Sequence, residues 1–177
     1  MSKLNTLRDL LVHELSDIYS AEEQILEALP KMIKAAGADK LRAAFEDHLE
    51  VTKKHVKRLD KCFSELGAKP SGETCAAMKG LITETGKLLK EKESANPHVF
   101  DAALAGAAQR VEHYEMAAYG CARSFCDTLG EEKVGKLLQE TLYEEGESNK
   151  LLSILAISEL NPAAHSKRKS ASATSGS

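Results

Sequence analysis

The sequence predicts an all-α protein that folds as a four-helix bundle. Apolar residues recur every three or four positions over most of the chain, which is the spacing of one face of an α-helix. Aromatic residues make up only 5% of the sequence and Trp is absent, so the core is expected to consist of aliphatic packing between helices. The 177 residues are enough for one domain with a continuous core.

The first helix is predicted over residues 4–36. Pro30 lies inside this pattern and is expected to kink the helix or to end its first segment, because proline removes a backbone hydrogen bond and crowds the preceding turn. Gly37 should close the helix, and Asp39 is a candidate N-cap for the next one. The apolar stripe that supports this helix consists of Leu4, Leu7, Leu11, Ile18, Ile25 and Leu29.

The second helix is predicted over residues 40–66, and it should stop at Gly67 before Pro70. A shorter helix is predicted over residues 74–92, where apolar residues line one side. The row that faces the core in the second helix consists of Leu41, Phe45, His48, Thr52, His55 and Leu59.

The third long helix should follow Pro97, run over residues 99–129 and end at Gly130. The fourth is predicted over residues 131–160, with a stop at Asn161-Pro162. The remaining segment is small and polar, so we expect a helical domain over residues 1–162 and a disordered polar tail over residues 163–177.

Two helical hairpins are therefore expected, and a longer connection with its own short helix should join them. Bundles that run up and down in sequence need only short loops, whereas one long crossover is typical of the ferritin-like topology. The predicted fold is a ferritin-like antiparallel four-helix bundle with a short extra helix in the crossover between the second and third long helices.

Several polar side chains fall on faces that should be buried, and helical geometry places them at one height. Counted from the turn near residue 37, Glu22 lies level with about residue 52, between His48 and His55. Counted from the turn near residue 130, Glu112 and Glu115 lie level with about residues 145–148. All four long helices are therefore expected to contribute to one polar layer.

A buried layer of carboxylates is costly unless something compensates its charge, and a divalent cation does so directly. Carboxylates and imidazoles that project inward from facing helices are how bundles hold iron or manganese. We predict one or two such ions, with the ligands Glu22, His48, Glu112, Glu115 and Glu145.

Three neighbouring residues have simpler interpretations. His55 is expected to be a buried, hydrogen-bonded histidine, which is the usual state of a single inward histidine. Glu144 lies at the edge of the buried arc and is a weaker candidate ligand. Tyr119 should belong to the core, with its hydroxyl group bonded to a carboxylate of the layer.

Four segments carry a resemblance to a known family: YSAEEQILEALPKM, FEDHLEVTKKHVKRL, VEHYEMAAYG and LLQETLYEE. Over about residues 4–160 the sequence resembles the YciE/YciF-like family of bacterial stress proteins, within the ferritin-like superfamily. The resemblance implies a helical bundle that dimerises and is associated with stress conditions. It implies no particular reaction.

The sequence departs from the pattern of oxygen-activating di-iron proteins, which carry Glu-x-x-His on the second and fourth helices. His48 and His55 have no inward carboxylate three residues before them. In the fourth helix, Ser148 lies three residues after Glu145, where the pattern has a histidine. Glu112 and Glu115 keep a Glu-x-x-Glu pair, which resembles rubrerythrin-type sites. A single-metal site and a degenerate site therefore remain open.

Two functions follow from these observations. The first is a stress-associated ferritin-like protein that binds iron or manganese in its core and, if it is an enzyme, carries out redox chemistry on dioxygen or peroxide, because carboxylate-rich sites favour hard ions. The alternative is a non-enzymatic dimeric bundle whose polar core is vestigial and which acts through association with other proteins.

Composition excludes several other classes. Charges interrupt every apolar stretch, so no segment approaches the roughly 20 apolar residues of a membrane span. A net charge of −3 gives no general attraction for nucleic acid. Four scattered cysteines do not form a CxxC motif, and the N-terminus does not resemble a secretory signal. We expect a cytoplasmic homodimer, and the sequence does not identify a protein partner.

Overall fold

The computed structural model describes residues 4–172, and over these residues the chain is helical, without β-strands. The all-α prediction is thereby confirmed. The helices are α1 (Leu7–Ala35), α2 (Asp39–Leu66), α3 (Ala76–Lys90), α4 (Pro97–Leu129), α5 (Glu132–Leu155) and, after a π turn over Ala156–Leu160, α6 (Asn161–Ser172).

Four long helices form a closed ring in which α1 packs on α2, α2 on α5, α5 on α4, and α4 on α1. Short loops make α1 antiparallel to α2 and α4 antiparallel to α5. Ion pairs join Lys40 to Glu159 near one end and Lys133 to Glu65 near the other, so α2 and α5 are antiparallel as well. The connection from α2 to α4 therefore spans the bundle, and it contains α3, which packs against α1 and α4.

Local signals in the sequence explain where most helices begin and end. The Thr6 side chain accepts a hydrogen bond from the Asp9 amide and the Asp9 side chain bonds back, forming a capping box for α1. Asn96 caps α4 immediately before its first-turn proline. Gly67 and Gly130 end α2 and α4 in the left-handed region, with φ of 60° and 73°.

The predicted N-cap at Asp39 is wrong. The cap position falls on Ala38, which has no side-chain oxygen to offer. Asp101 of α4 supplies the acceptors instead, since its carboxylate oxygens bind the backbone N–H groups of Gly37 and Ala38, both at 2.8 Å. A facing helix thus stabilises the turn between α1 and α2, together with the Arg42 guanidinium, which donates to the Ala36 carbonyl at 3.0 Å.

The predicted helix end at Asn161-Pro162 is also wrong. The Asn161 amide bonds to the Ala156 carbonyl in a π turn, so the helix widens just before Pro162. The proline then lies in the first turn of α6, where a missing N–H group is best tolerated. Residues 163–172 of the predicted tail are helical, and residues 173–177 lie outside the described residues. Similarly, α1 continues through Pro30 and does not end there.

Two apolar clusters fill the bundle, and the polar layer separates them. One cluster is built around Ile25, Leu29, Phe45, Leu104 and Leu152. The other is built around Leu11, Leu15, Leu59, Val134 and Leu138. Across the residues that the structure describes, none of the helices combines the length and apolar character needed to cross a membrane.

Candidate metal centre

All five predicted ligands lie in the polar layer, and each is buried. They are Glu22 on α1, His48 on α2, Glu112 and Glu115 on α4, and Glu145 on α5. Their placement follows from the helical periodicity of the apolar stripes, because each residue occupies a core-facing position between the two apolar clusters. The predicted convergence of the four helices at one height is therefore present in the structure.

One group of ligand atoms comes from His48, Glu112, Glu115 and Glu145, and these atoms all lie within 4.8 Å of one another. Glu112 and Glu115 are three residues apart on α4, so that their side chains project from the same face. Nε2 of His48 lies 3.5 Å from Oε1 of Glu112. A cation placed among these atoms would have oxygen and nitrogen ligands from three helices.

A second group comes from Glu22, His55 and Glu145, again within 4.8 Å of one another. Nδ1 of His55 lies 2.9 Å from Oε1 of Glu145 and 3.3 Å from Oε1 of Glu22. Glu145 belongs to both groups, so the two sets of ligand atoms are adjacent and share one carboxylate.

Most polar atoms of the layer lack hydrogen-bond partners among the described residues. Such atoms are rare in a folded core because each loses its hydration without compensation. They are Oε2 of Glu22, Nδ1 of His55, Oε2 of Glu112, and both carboxylate oxygens of Glu115 and of Glu145. All of them come from the residues of the two groups, so the donor set suits a hard divalent cation.

An outer network orients His55. Its Nε2 lies 2.9 Å from Oε2 of Glu144, and the guanidinium of Arg58 binds both oxygens of that carboxylate. Because Glu144 can only accept, it keeps the proton on Nε2 and leaves Nδ1 to face Glu22 and Glu145. This carboxylate and histidine arrangement is the one that usually supports a metal-binding imidazole.

Ser148 orients His48 in a similar way. The Ser148 hydroxyl donates to Oε1 of Glu112 at 2.9 Å, so its oxygen is free to accept from Nδ1 of His48 at 3.3 Å. The His48 tautomer selected by this chain has its lone pair on Nε2, which faces Glu112. Ser148 therefore orients a candidate ligand although it replaces the histidine of the di-iron pattern.

Tyr119 is fully buried, and its hydroxyl donates to Oε1 of Glu22 at 2.5 Å. The predicted role of Tyr119 is confirmed. Burial and the nearby Glu22 carboxylate raise the pKa of this phenol well above its usual range, so it remains a donor. The hydrogen bond occupies one oxygen of Glu22 and leaves Oε2 facing the layer without a partner in the described chain.

Burial and the closeness of several charged groups shift the pKa values of Glu112, Glu115 and His55. Burial raises the pKa of Glu112 to about 8, helped by Glu145 and opposed by His48. Burial, together with Glu145, Glu22 and Glu112, raises the pKa of Glu115 well above its usual range. Burial alone would lower the pKa of His55, but Glu145 and Glu22 outweigh it and raise that pKa to about 10. Without an ion, protons therefore neutralise part of the layer near neutral pH, and a cation would displace them.

Sequence reasoning left three residues of this centre out of the ligand set or gave them little weight. His55 is buried and hydrogen-bonded as expected, but its second nitrogen joins Glu22 and Glu145. Glu144 does not belong to either group of ligand atoms and instead binds His55 and Arg58. The spacing of Arg58 three residues after His55 is the one signal in the sequence that could have identified this network.

Comparisons with known proteins agree with this architecture. A family described as "Domain of unknown function (DUF892)" matches residues 6–165. YciF of Escherichia coli is 42% identical over 165 residues, which cover 93% of this chain and 98% of YciF. The crystal structure of that protein, described as a stress protein, matches with a TM-score of 0.85 over 89% of this chain and 99% of YciF.

Two further solved structures are similar. YcfI from Rhodopseudomonas palustris is 43% identical and matches with a TM-score of 0.81, over 86% of this chain and 96% of YcfI. A protein from Xanthomonas campestris is 19% identical, with a TM-score of 0.72 over 93% and 99% of the two chains, and it supports the fold alone. The matched family profile and the identity to YciF confirm the predicted resemblance, and the chain belongs to the DUF892 family of YciF-like proteins.

Proposed function

We propose that this protein is a cytoplasmic, stress-associated, ferritin-like protein that binds iron or manganese in its polar layer. The ligands are Glu22, Glu112, Glu115 and Glu145 together with His48, and His55 joins them. The topology supports the ferritin-like assignment, because two antiparallel hairpins are joined by one long crossover. The name of the relative described as a stress protein supports the association with stress.

The observation that carries this proposal is the set of unpartnered oxygen and nitrogen atoms in the core. Three carboxyl groups on α4 and α5 crowd together, and five of their oxygens have no hydrogen-bond partner among the described residues. The His55 imidazole, whose pKa is raised to about 10, places a positive charge beside Glu22 and Glu145, but no lysine or arginine of the described residues does so for Glu112 and Glu115. The buried Arg58 instead binds Glu144, outside the two groups.

Two ions fit the arrangement better than one. Each group has its own histidine, and Glu145 belongs to both. A carboxylate has two oxygens and is able to bind two adjacent ions, as in other carboxylate-rich helical bundles. The group with Glu112 and Glu115 has the larger set of ligands and is expected to bind the first ion more tightly.

Bound iron or manganese would supply redox chemistry on dioxygen or peroxide. The protein's own part is to hold the carboxylates and imidazoles in place, to exclude bulk water through the apolar clusters, and to keep protons at defined atoms. Those atoms are Nε2 of His55, held by Glu144, and the Tyr119 hydroxyl, held by Glu22. Hydrolytic chemistry has less support, because the layer has no separate nucleophile.

Metal analysis of protein purified without chelator tests the proposal. We expect at least one equivalent of iron or manganese in the wild type, and less than about a tenth of an equivalent when Glu112 and Glu115 are both changed to Ala. The matched control is Glu23→Ala, which removes an exposed carboxylate from α1. Unchanged metal content in the double variant, with the helix content retained, would exclude these residues from the site.

A second candidate function is association with other proteins as a metal-free dimer. The surface of α5 favours this function. Large apolar side chains are exposed along α5 and the π turn, with Tyr143, Ile154 and Ile157 at 66%, 53% and 74%. Exposed apolar clusters of this kind mark interaction surfaces.

The oligomeric state tests this surface. Analytical ultracentrifugation should give a dimer for the wild type and a monomer for the Ile154→Lys, Ile157→Lys double variant. A dimer without bound metal would favour the second function over the first. A monomeric wild type would remove the surface from consideration.

A further inference from the structure

We infer that a small apolar cavity beside the metal layer is a binding pocket for dioxygen, which reaches the site from beneath α3. The cavity has a volume of about 30 Å³ and lies among α1, α2, α3 and α4. This inference rests on the proposed function, and it selects dioxygen over peroxide as the small molecule that the site receives.

The cavity borders the polar layer, because two residues of the layer form part of its wall. His48 and Glu112 are part of its wall, and both belong to the group of candidate ligands that includes Glu115 and Glu145. A molecule in the cavity therefore lies directly beside the atoms that would hold the metal, without crossing another shell of side chains.

The rest of the wall repels polar molecules. It consists mainly of aliphatic and aromatic side chains, such as Ile25, Phe45, Ile82 and Val111. The other polar residue of the wall, Thr85, donates its hydroxyl hydrogen to the Leu81 carbonyl at 2.9 Å, inside α3. Apart from His48 and Glu112, this wall offers a water molecule few hydrogen-bond partners, and apolar walls of this kind are poorly hydrated.

Size and polarity together select the occupant. The volume of about 30 Å³ is far below the roughly 150 Å³ of an apolar cavity that binds benzene, so the cavity suits a diatomic molecule better than a larger substrate. Peroxide has two hydroxyl groups, and it would lose hydrogen bonds to water that this wall does not replace. Dioxygen has no such bonds to lose.

A polar approach to the same histidine exists on the opposite side. The groove between α2 and α5 contains His48 and Ser148 beside the acidic side chains Asp47, Glu144 and Glu147, together with several apolar side chains. Its acidic wall suits cations and protons. The two faces of His48 thus differ in chemistry, and the apolar face is the one that the crossover helix covers through Ile82 and Thr85.

Dioxygen itself is the probe for the test, since it is paramagnetic and speeds the relaxation of nearby methyl groups. The full-length protein, treated with chelator, would be labelled at isoleucine methyl groups and measured by NMR under dioxygen pressure. Ile25 is in the cavity wall and Ile18 is in the other apolar cluster, and both are buried residues of α1, at 3% and 2% exposure. We expect the relaxation enhancement at Ile25 to be at least about twofold that at Ile18. Equal enhancement at the two residues would overturn the inference.

A variant that fills the cavity provides a second test. Ala28→Leu adds volume at the cavity wall and should remove the additional relaxation enhancement of Ile25 relative to Ile18. Ala103→Leu, on the exposed face of α4, should leave that difference unchanged. A difference that survives in a folded Ala28→Leu protein would also overturn the inference. If that variant does not fold, the wild-type comparison of Ile25 with Ile18 still decides. Because no metal is needed, a failure here is distinct from a failure to bind iron or manganese.

Discussion

At the scale of single residues, the centre combines carboxylates that are buried by the periodicity of their own helices with a histidine that is oriented by a neighbouring helix. Glu22, Glu112 and Glu145 occupy core-facing positions in strongly periodic helices, so their burial follows from the sequence. The role of His55 could not be predicted in this way. The sequence does not distinguish an inward histidine with partners on both ring nitrogens from one whose Nδ1 atom is left without a hydrogen-bond partner. Its role depends on Arg58 and Glu144, which lie 86 residues apart and meet only in the fold.

Glu145 is the residue that both groups share, and changing it to Gln tests that role. Loss of one carboxylate should reduce bound metal to less than about a tenth of an equivalent, because both ions lose a ligand. The stability of the metal-free protein should change by no more than about 2 kcal/mol, since repulsion with Glu112 and Glu115 is relieved. Metal content by mass spectrometry and urea denaturation measure the two effects. Glu147→Gln, an exposed position on the same helix, is the control, and equal metal loss in both variants would contradict the assignment.

Glu144 is predicted to act through His55 and not as a ligand. Glu144→Gln should weaken metal binding by about 10- to 100-fold without removing it, because the imidazole exchanges a charged acceptor for a neutral amide, which fixes its tautomer less strongly. Glu140→Gln also removes a carboxylate partner of Arg58 but leaves His55 untouched. Competition titration with a chelating dye should separate the two variants. A Glu140→Gln protein as weak as Glu144→Gln would show that only the charge of Arg58 matters.

The metal-free protein should become less stable as the pH rises from 6.5 to 8. The folded pKa values of Glu112 and His55, about 8 and about 10, lie above their ordinary values of 4.5 and 6.5. The folded state therefore binds more protons than the unfolded state in this window, and the free energy of unfolding falls with pH. Burial lowers the pKa of His48, which acts in the opposite direction only below about pH 6.5.

Urea denaturation at several pH values in the presence of chelator measures this dependence. We expect a fall of about 3 kcal/mol across the window, and about half of that in Glu112→Gln. Saturating metal should reverse the trend, because a cation replaces the protons and binds better as they leave. A stability that stays flat or rises without metal would contradict the proton assignment.

At the scale of elements, the sequence predicted helices well and the ends of helices less well. Gly67 and Gly130 stop α2 and α4 through their left-handed backbone, which is a local property of glycine. The turn between α1 and α2 was mispredicted because its cap, Asp101, comes from 63 residues away. Pro162 predicts the end of a helix, but the helix continues through a π turn, whose hydrogen bond from the Asn161 amide to the Ala156 carbonyl the sequence does not signal.

The Asp101 cap gives a prediction at this scale. Asp101→Ala leaves two backbone N–H groups without their acceptor, and it should cost about 1–3 kcal/mol of stability. Metal stoichiometry should not change, because Asp101 is remote from the polar layer. Asp127→Ala, which removes a half-exposed ion pair on the same helix, should cost less than about 1 kcal/mol. Thermal and urea denaturation measure the difference, and equal losses in the two variants would contradict the proposed cap.

At the scale of the whole molecule, the bundle places a charged layer where a simpler protein would have a continuous core. The two apolar clusters stabilise the ends of the ring, and the layer between them lacks hydrogen-bond partners in the described chain. A bound ion would stabilise the folded state by an amount that grows with the logarithm of its free concentration above the dissociation constant. The proposed metal thus links the four helices, and its absence leaves protons to neutralise the layer.

Anomalous diffraction from crystals soaked in manganese or ferrous iron would locate any metal in the polar layer. We expect two peaks on either side of Glu145, one beside His48, Glu112 and Glu115, and one beside Glu22 and His55. A single peak beside Glu112 and Glu115 would retain the site and exclude the second ion. Peaks confined to surface carboxylates, with the layer empty at saturating metal, would contradict the claim that these buried side chains form a metal centre.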